Sequence, residues 1–379
     1  MTVTPELAQQ VLDWHAWLDA HPEPAWRETG TTAYLVEQLE HLGCTCHQVD
    51  GRTGAVADLG TGPRWVALRA DLDAIWMGDD DGYAVHSCGH SAHMAAVLGA
   101  ARLLAEGPEL PEGVGVRLLL QPAEETGTGA LDLIERGALE GVTDLFGIHV
   151  RPVEELAVGR FGPALHSGAS LTGLVTIAGE DAHGARPHLG ANAIDPLVAL
   201  HQALPAMRFN PAESYSAKIT RIRAGGASLN VIPGTAEVAI DLRAQRNEVM
   251  TGLQERITEA VRGIASTYGV TMEVSWHDGT PGAEVHPAAA ATLAQAIREV
   301  AGEEALAEEV VTTGADDFHY YAQASPGLRS SMLALGVGVA PGLHVPSMTY
   351  STEPLPVAAA ILARAVRLAA EGLRGEGLS

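Results

Sequence analysis

Four short apolar runs in this chain each lead into side chains that can hold a metal ion or carry a proton. Ala67–Ala70 leads into Asp71 and Asp73, and Val116–Leu120 leads through Gln121-Pro122 into Glu124-Glu125. Leu145–Ile148 stops at His149, and Met332–Val337 precedes His344. His86-Ser87-Cys88-Gly89-His90 falls between the first run and the second. Apolar runs this short, each closed by a turn, predict parallel strands buried on both faces. Ligands bind in the crevice beyond the carboxyl ends of such strands. Acids, imidazoles and one thiol gathered along that edge predict a metal site.

The rest of the chain fits an α/β fold. Helical spacing over Thr4–Ala20 and Thr31–Leu42 opens it, the second helix stopping at Gly43. Helices over Ala92–Leu104 and Gly129–Arg136 follow. The pattern changes near Ser167. Leu171–Ala178 and Val231–Leu242 alternate like strands, and Ala193–Met207 and Val249–Tyr268 read as helices. Two strands and two helices in that span predict a small α+β domain inserted in a larger one. From Pro281 the first pattern resumes, with helices over Ala288–Val300 and Leu355–Leu373. The expected layout is a discontinuous catalytic domain of residues 1–166 and 280–379 around an insert of residues 167–279.

Composition removes several classes of function. The net charge of −24 leaves no basic surface for nucleic acid or an anionic membrane. Lys218 is the only lysine, which disfavours Schiff-base chemistry, and no Gly-Lys-Ser/Thr phosphate loop or dinucleotide fingerprint occurs. Three cysteines cannot build a disulfide framework and point to a reducing compartment. Met1–Glu6 lacks the pattern of a signal peptide, and no apolar stretch reaches the roughly 20 residues that span a bilayer. The expectation is a cytoplasmic enzyme acting on a small molecule.

Each chemical signal is modest alone. Cys88 and His90 flank a glycine just before a helix; thiolate and imidazole are strong ligands for zinc-like ions, though a buried cysteine is more often a small hydrophobe. Adjacent carboxylates at Glu124-Glu125 are ordinarily solvated. At a strand end they can divide labour, one holding metal and one accepting a proton from a water whose pKa the metal has lowered to about 7. His149 by itself reads as a core histidine, and His93 as helix packing. Their joint position at strand ends raises the metal reading above these.

The ordered motifs resemble the zinc aminoacylase/carboxypeptidase metallopeptidase family, in its amidohydrolase branch with hippurate hydrolase and indoleacetyl-amino-acid hydrolases. The matches are His21-Pro22-Glu23 with Glu28, Arg69-Ala70-Asp71-Leu72-Asp73, His86 to His90, Gln121 to Glu125, and Gly147-Ile148-His149-Val150. His183 through His188, Asn230-Val231-Ile232-Pro233, Asp316-Asp317-Phe318 and Leu343-His344-Val345-Pro346 continue them. The resemblance implies a phosphorylase/hydrolase-like domain with a mixed, largely parallel sheet, plus an α+β lid that mediates homodimerisation. It implies two divalent ions per subunit, zinc or manganese with cobalt or nickel as alternatives, held by Cys88, His90, Glu125, His149 and His344. Glu124 is then the general base, Asp73 orients a ligand, His183 stabilises the oxyanion, and Asn230 and Arg243 hold the substrate carboxylate. The implied reaction is hydrolysis of an amide in an N-acyl amino acid or similar small carboxylate by metal-activated water. Alternatives are an anthranilate-type aminohydrolase or a metal-dependent amino-acid-binding protein without turnover.

Two departures stand out. The family usually has aspartate where this chain has Ser91, which removes a charge near the ligands. The segment from Asp73 to Cys88 is short and carries Trp76-Met77-Gly78-Asp79-Asp80-Asp81-Gly82, resembling a subgroup that includes an aminohydrolase of nitro-substituted anthranilate.

Overall fold

The computed structural model describes residues 3–373; the outermost parts of the expected large domain, residues 1–2 and 374–379, lie outside them. The chain forms two compact units. The larger takes the residues through His166, Glu284–Val311 and those from Asp317 onward; the smaller takes Ser167–Ala283 and Thr312–Asp316. The return to the larger unit therefore comes after the expected residue 280, because a strand runs unbroken through Thr271–Thr280.

In the larger unit, helices α1 (Pro5–Asp19) and α2 (Thr29–His41) precede strands β1 (Thr45–His47), β2 (Ala55–Leu59) and β3 (Arg64–Asp71). A hairpin of β4 (Ile75–Met77) and β5 (Tyr83–Val85) leads to α3 (His90–Ala105) and β6 (Val114–Gln121). Then come α4 (Gly129–Glu135), β7 (Val142–Pro152), β8 (Phe161–Gly162) and β9 (Leu165–His166). The smaller unit contains β10 (Ala169–Ala178), β11 (Ala182–His183), α5 (Ile194–Ala203), β12 (Tyr215–Ala224), β13 (Val231–Ile232), β14 (Thr235–Ala244), α6 (Asn247–Tyr268) and β15 (Thr271–Thr280). The larger unit closes with α7 (Pro287–Ala301), β16 (Val310–Val311), α8 (His319–Ala324), β17 (Arg329–Val339) and α9 (Leu355–Leu373).

The large sheet has the order β1-β2-β6-β3-β7-β17-β8. Its four central strands, β6, β3, β7 and β17, are mutually parallel and are the four apolar runs of the sequence. Their residues alternate between two cores. Leu68, Leu118 and Phe146 pack with α1, α3, α7 and α9, whereas Ala67, Leu119 and Leu145 pack with Leu133, Phe318 and Tyr321 on the other face. Burial on both faces explains why period-two alternation is absent from these runs. Each leucine or valine so buried contributes about 1.5–3 kcal/mol.

The smaller unit is a four-stranded antiparallel sheet, β12-β14-β10-β15, covered by α5 and α6. Two of these strands, β12 and β15, were not expected. β12 is a sheet edge whose alternation of Tyr215, Ala217 and Ile219 is short, because the register shifts before Arg221 and the rest of the strand is exposed. The expected single strand Val231–Leu242 is two, β13 and β14, parted at Pro233-Gly234, where proline has no N–H for a ladder.

Candidate metal centre

Cys88, Gly89 and His90 turn the chain from the β4–β5 hairpin into α3. Gly89 is the N-cap of that helix with φ 86°, and a Cβ there would lie 2.4 Å from Val150 Cγ2. Only glycine permits both the left-handed backbone and the close approach to β7. His90 becomes the first residue of α3, two positions earlier than its apolar pattern predicts. Its Nδ1 donates to the Asp73 carbonyl at 2.7 Å, which leaves Nε2 directed at the acidic residues.

Glu124 and Glu125 begin a short 3-10 turn after β6. Ala123 adopts a left-handed conformation (φ 52°), and its N–H donates to the buried Glu28 carboxylate at 2.8 Å. A Cβ on Gly129 would lie 1.5 Å from the Pro122 carbonyl oxygen, so the chain closes over this turn only with glycine. Asp73 receives the backbone N–H groups of both Glu124 and Glu125 at 3.0 Å. One carboxylate thus fixes the directions of two others.

His149 differs from expectation. It lies inside β7, which continues to Pro152, and not beyond a strand end. Its Nδ1 donates to the Val150 carbonyl at 2.7 Å, and Nε2 lies 3.6 Å from Cys88 Sγ. His344 sits in the loop after β17 with φ 62°; its N–H donates to the Ser87 carbonyl at 2.7 Å, and Nε2 is 3.6 Å from Glu125 Oε2. His90 Nε2 is 3.7 Å from Glu125 Oε1 and 3.8 Å from Glu124 Oε2.

The five expected ligands thus converge. They form two groups, each with donor atoms within 4.8 Å of one another: Cys88, His90 and His149, and Cys88, Glu125 and His344. Cys88 belongs to both. His90 Nε2 and Glu125 Oε1 are buried without a hydrogen-bond partner. Buried polar atoms left unsatisfied in this way cost free energy, and a cation between them would relieve it. The donor set of thiolate, imidazole and carboxylate suits a divalent transition metal.

Electrostatics agree with that reading. Burial raises the Cys88 thiol well above its usual range, and Glu125, Glu124 and Asp71 raise it further. Burial alone would lower the His90 imidazole, but Asp71, Asp73 and Glu125 outweigh it and hold it up at about 10. Burial, with help from His93 and Arg151, drives His149 well down, so it is neutral and ready to coordinate. Without a metal, the proton on His90 is the positive charge that these acids surround.

Residues outside the expected set complete the centre. His93 is more than helix packing. Its Nδ1 donates to Asp71 Oδ1 at 2.7 Å, and its Nε2 accepts the Val150 N–H at 3.0 Å. Asp71 also faces His90 Nε2 at 3.6 Å and pairs with Arg69 at 2.5 Å. Arg69 is fully buried and reaches Gln121 and Asp317 as well. Spacing on α3 gives no hint that His93 turns to the sheet; Arg69 and Asp71, two apart at the end of β3, share a face and were the one available signal. Ser91 is buried too, bonded to Asp19 and to Tyr350 OH, both at 3.0 Å. Its hydroxyl points to those two groups, and Asp71 is the carboxylate of β3 that faces His90 Nε2.

The smaller unit holds the remaining expected residues. His183 on β11 pairs with Val231 of β13, and Asn230 accepts the Gly184 N–H at 2.8 Å, so His183 and Asn230 are neighbours. The His183 Nδ1 accepts the Ala185 N–H at 3.1 Å, which puts the ring proton on Nε2. Arg243 lies in the other sheet, on β14, with its guanidinium bound to Asp241 at 3.0 Å.

Comparison with known proteins gives a consistent picture. A model of peptidase family M20/M25/M40 matches residues 67–368. A Rhodococcus jostii protein named putative glutamate–cysteine ligase 2-3 is 33% identical over 369 residues, covering 92% of this chain, which spans only 45% of that longer protein. The N-acetyl-L-cysteine deacetylase of Bacillus subtilis is 33% identical over 344 residues, covering 85% of this chain and 79% of the relative. Among solved structures, a dinuclear metal-binding peptidase of the M20 family from Bacillus subtilis superposes with a TM-score of 0.79 at 26% identity, covering 97% of this chain and 99% of that one.

Proposed function

This chain belongs to peptidase family M20/M25/M40 and is a metal-dependent amidohydrolase, and from that premise we propose that it cleaves the amide of an N-acyl amino acid or a similar small carboxylate. The observation that carries the proposal is Cys88 shared between two donor groups, with Glu124 Oε2 3.8 Å from His90 Nε2 beside them.

The proposed resident group is a pair of divalent ions, zinc or manganese, with cobalt or nickel as substitutes. The first donor group would hold one ion and the second the other, with Cys88 common to both. Such ions supply Lewis acidity, which polarises a carbonyl and lowers the pKa of water. The protein supplies the rest. Glu124 is 9% exposed, open enough to meet water yet fixed through its backbone by Asp73. It takes the proton from the attacking water and returns it to the departing nitrogen. His183, whose Nδ1 accepts a backbone N–H and so leaves the Nε2–H to donate, is the proposed partner of a developing oxyanion, a role worth about 10²–10³ in rate for one donor. Asn230 and Arg243 are the proposed partners of the substrate carboxylate, Arg243 while sharing its charge with Asp241.

Pairing through the smaller unit is the proposed assembly, a homodimer. The exposed edge strand β12, with Ile222 at 52% exposure, supports it. No helix among the described residues is long and apolar enough to cross a membrane. The three free cysteines favour a cytoplasmic setting.

A product screen tests the function. Metal-loaded protein is incubated with N-acyl amino acids and with aminobenzoates, and released amino acid and ammonia are measured separately. Amino-acid release supports the proposal. Ammonia alone would replace it with ring deamination, and no product from either series would reject it.

A further inference from the structure

The cavity that opens onto the metal ligands carries a charge pattern that catalysis does not use. It measures about 740 Å³ and lies within the larger unit. Glu125 and His344 line it together with Arg27, Trp76, Asp79 and Asp80. Arg27 is its single cationic arginine, and Asp79 and Asp80 are its free carboxylates. These groups have opposite sign and share one cavity, yet among the described residues no ion pair closes between them and none of the three has another salt-bridge partner. Opposite charges at a surface pair freely when their side chains can meet, so a gap held between them complements a dipole of matching span.

The framework keeps that gap. The indole N–H of Trp76 donates to the Asp79 carbonyl at 3.2 Å, and the Gly82 N–H donates to the same oxygen at 2.9 Å. These bonds fold the hairpin tip and leave the half-exposed Trp76 ring as the apolar wall. The buried Glu28 anchors the segment next to Arg27 through its bond to Ala123.

We infer that this cavity is the acyl-side subsite and that it takes an acyl group ending in a zwitterionic amino-acid moiety. The ammonium of that moiety meets Asp79 and Asp80, its carboxylate meets Arg27, and its short methylene chain lies along Trp76. The inference rests on the proposed amidohydrolase activity and specifies its substrate class. It also accounts for the short, aspartate-rich loop that sets this chain apart from common members of its family.

Four 4-nitroanilides with one leaving group and different acyl groups test it: acetyl, succinyl, 4-aminobutyryl and γ-glutamyl. Only the last has both charges. The γ-glutamyl compound is expected to give a kcat/KM at least about tenfold above each of the others, the scale of one hydrogen bond to a charged group. Arg27→Gln is expected to collapse its advantage over the 4-aminobutyryl compound, and the paired Asp79→Asn/Asp80→Asn variant its advantage over the succinyl compound. Calorimetry gives a readout independent of turnover: glutamate is expected to bind more tightly than glutarate or 4-aminobutyrate. Hydrolysis of acetyl and γ-glutamyl compounds at equal rates, or variants that lower all four alike, would overturn the inference while leaving amidohydrolase activity standing. Failure to hydrolyse any anilide or any N-acyl amino acid would remove both.

Discussion

His93 and Asp71 share a 2.7 Å hydrogen bond, and through it the end of β3 is tied to the backbone of β7 one residue after His149. The ring is an acceptor toward Val150 and a donor toward Asp71, so a single tautomer serves both strands. Partners of this kind orient ligands without touching the ion, and their loss usually lowers metal affinity 10–100-fold. His93→Gln is expected to lower metal affinity by about that factor. The cobalt-loaded variant is expected to show a shifted ligand-field spectrum, because the His149 ring is no longer held in place. An unchanged affinity and spectrum would assign His93 to packing alone.

Glu124→Gln keeps the shape of the side chain and removes its basicity. The variant is expected to bind metal as the parent does and to lose about 10²–10⁴ in kcat, the range for a positioned acid–base group. Metal analysis and steady-state kinetics on one preparation check both halves.

Cys88 is the atom on which both donor groups depend. Cys88→Ala is expected to reduce bound metal below half of the parent's content, measured by elemental analysis after gel filtration. Loss confined to one ion would show that the thiol serves only one group.

Metal binding must displace protons. In the metal-free protein His90 is held up at about 10 and the Cys88 thiol lies well above its usual range. Both are therefore protonated near neutrality, and both must deprotonate to coordinate. The sign follows: affinity rises with pH, and most steeply below the range where His90 titrates. Between about pH 6 and pH 8 the logarithm of the association constant is expected to climb by about two per pH unit, with about two protons released. Competition titrations with a chelating dye at several pH values give the slope.

Gly89→Ala places a side chain where φ is 86° and where Val150 Cγ2 is 2.4 Å away. Strain and overpacking together are expected to cost at least about 2 kcal/mol. Urea denaturation of the metal-free protein measures that loss without the contribution of the ions.

The candidate ligands were legible because β3, β6, β7 and β17 are covered on both faces, which writes them into the chain as apolar runs, and because the polar residues nearest their ends stand out against those runs. Glu124, the proposed proton carrier, was legible beside Glu125 for the same reason. The role of His93 was not. Its helix is buried over nearly its whole length, so period and polarity do not separate a packing histidine from a bonded one. The edge strand β12 was likewise hidden, since its alternation of Tyr215, Ala217 and Ile219 breaks at a register shift before Arg221 and the residues beyond are exposed.

By itself, then, the order of residues determined the parallel strands, the insertion of a second unit and the chemical types along one sheet edge, because these follow from local burial and turn chemistry. Tertiary structure alone decided that Cys88 joins two donor groups, that Asp71 and His93 brace β7, and that Arg27 faces the same cavity as Asp79 and Asp80. Those relations depend on where side chains from distant segments point after packing. A hydrogen bond, or a pair of opposite charges kept apart in one cavity, has no periodic trace in the chain that makes it.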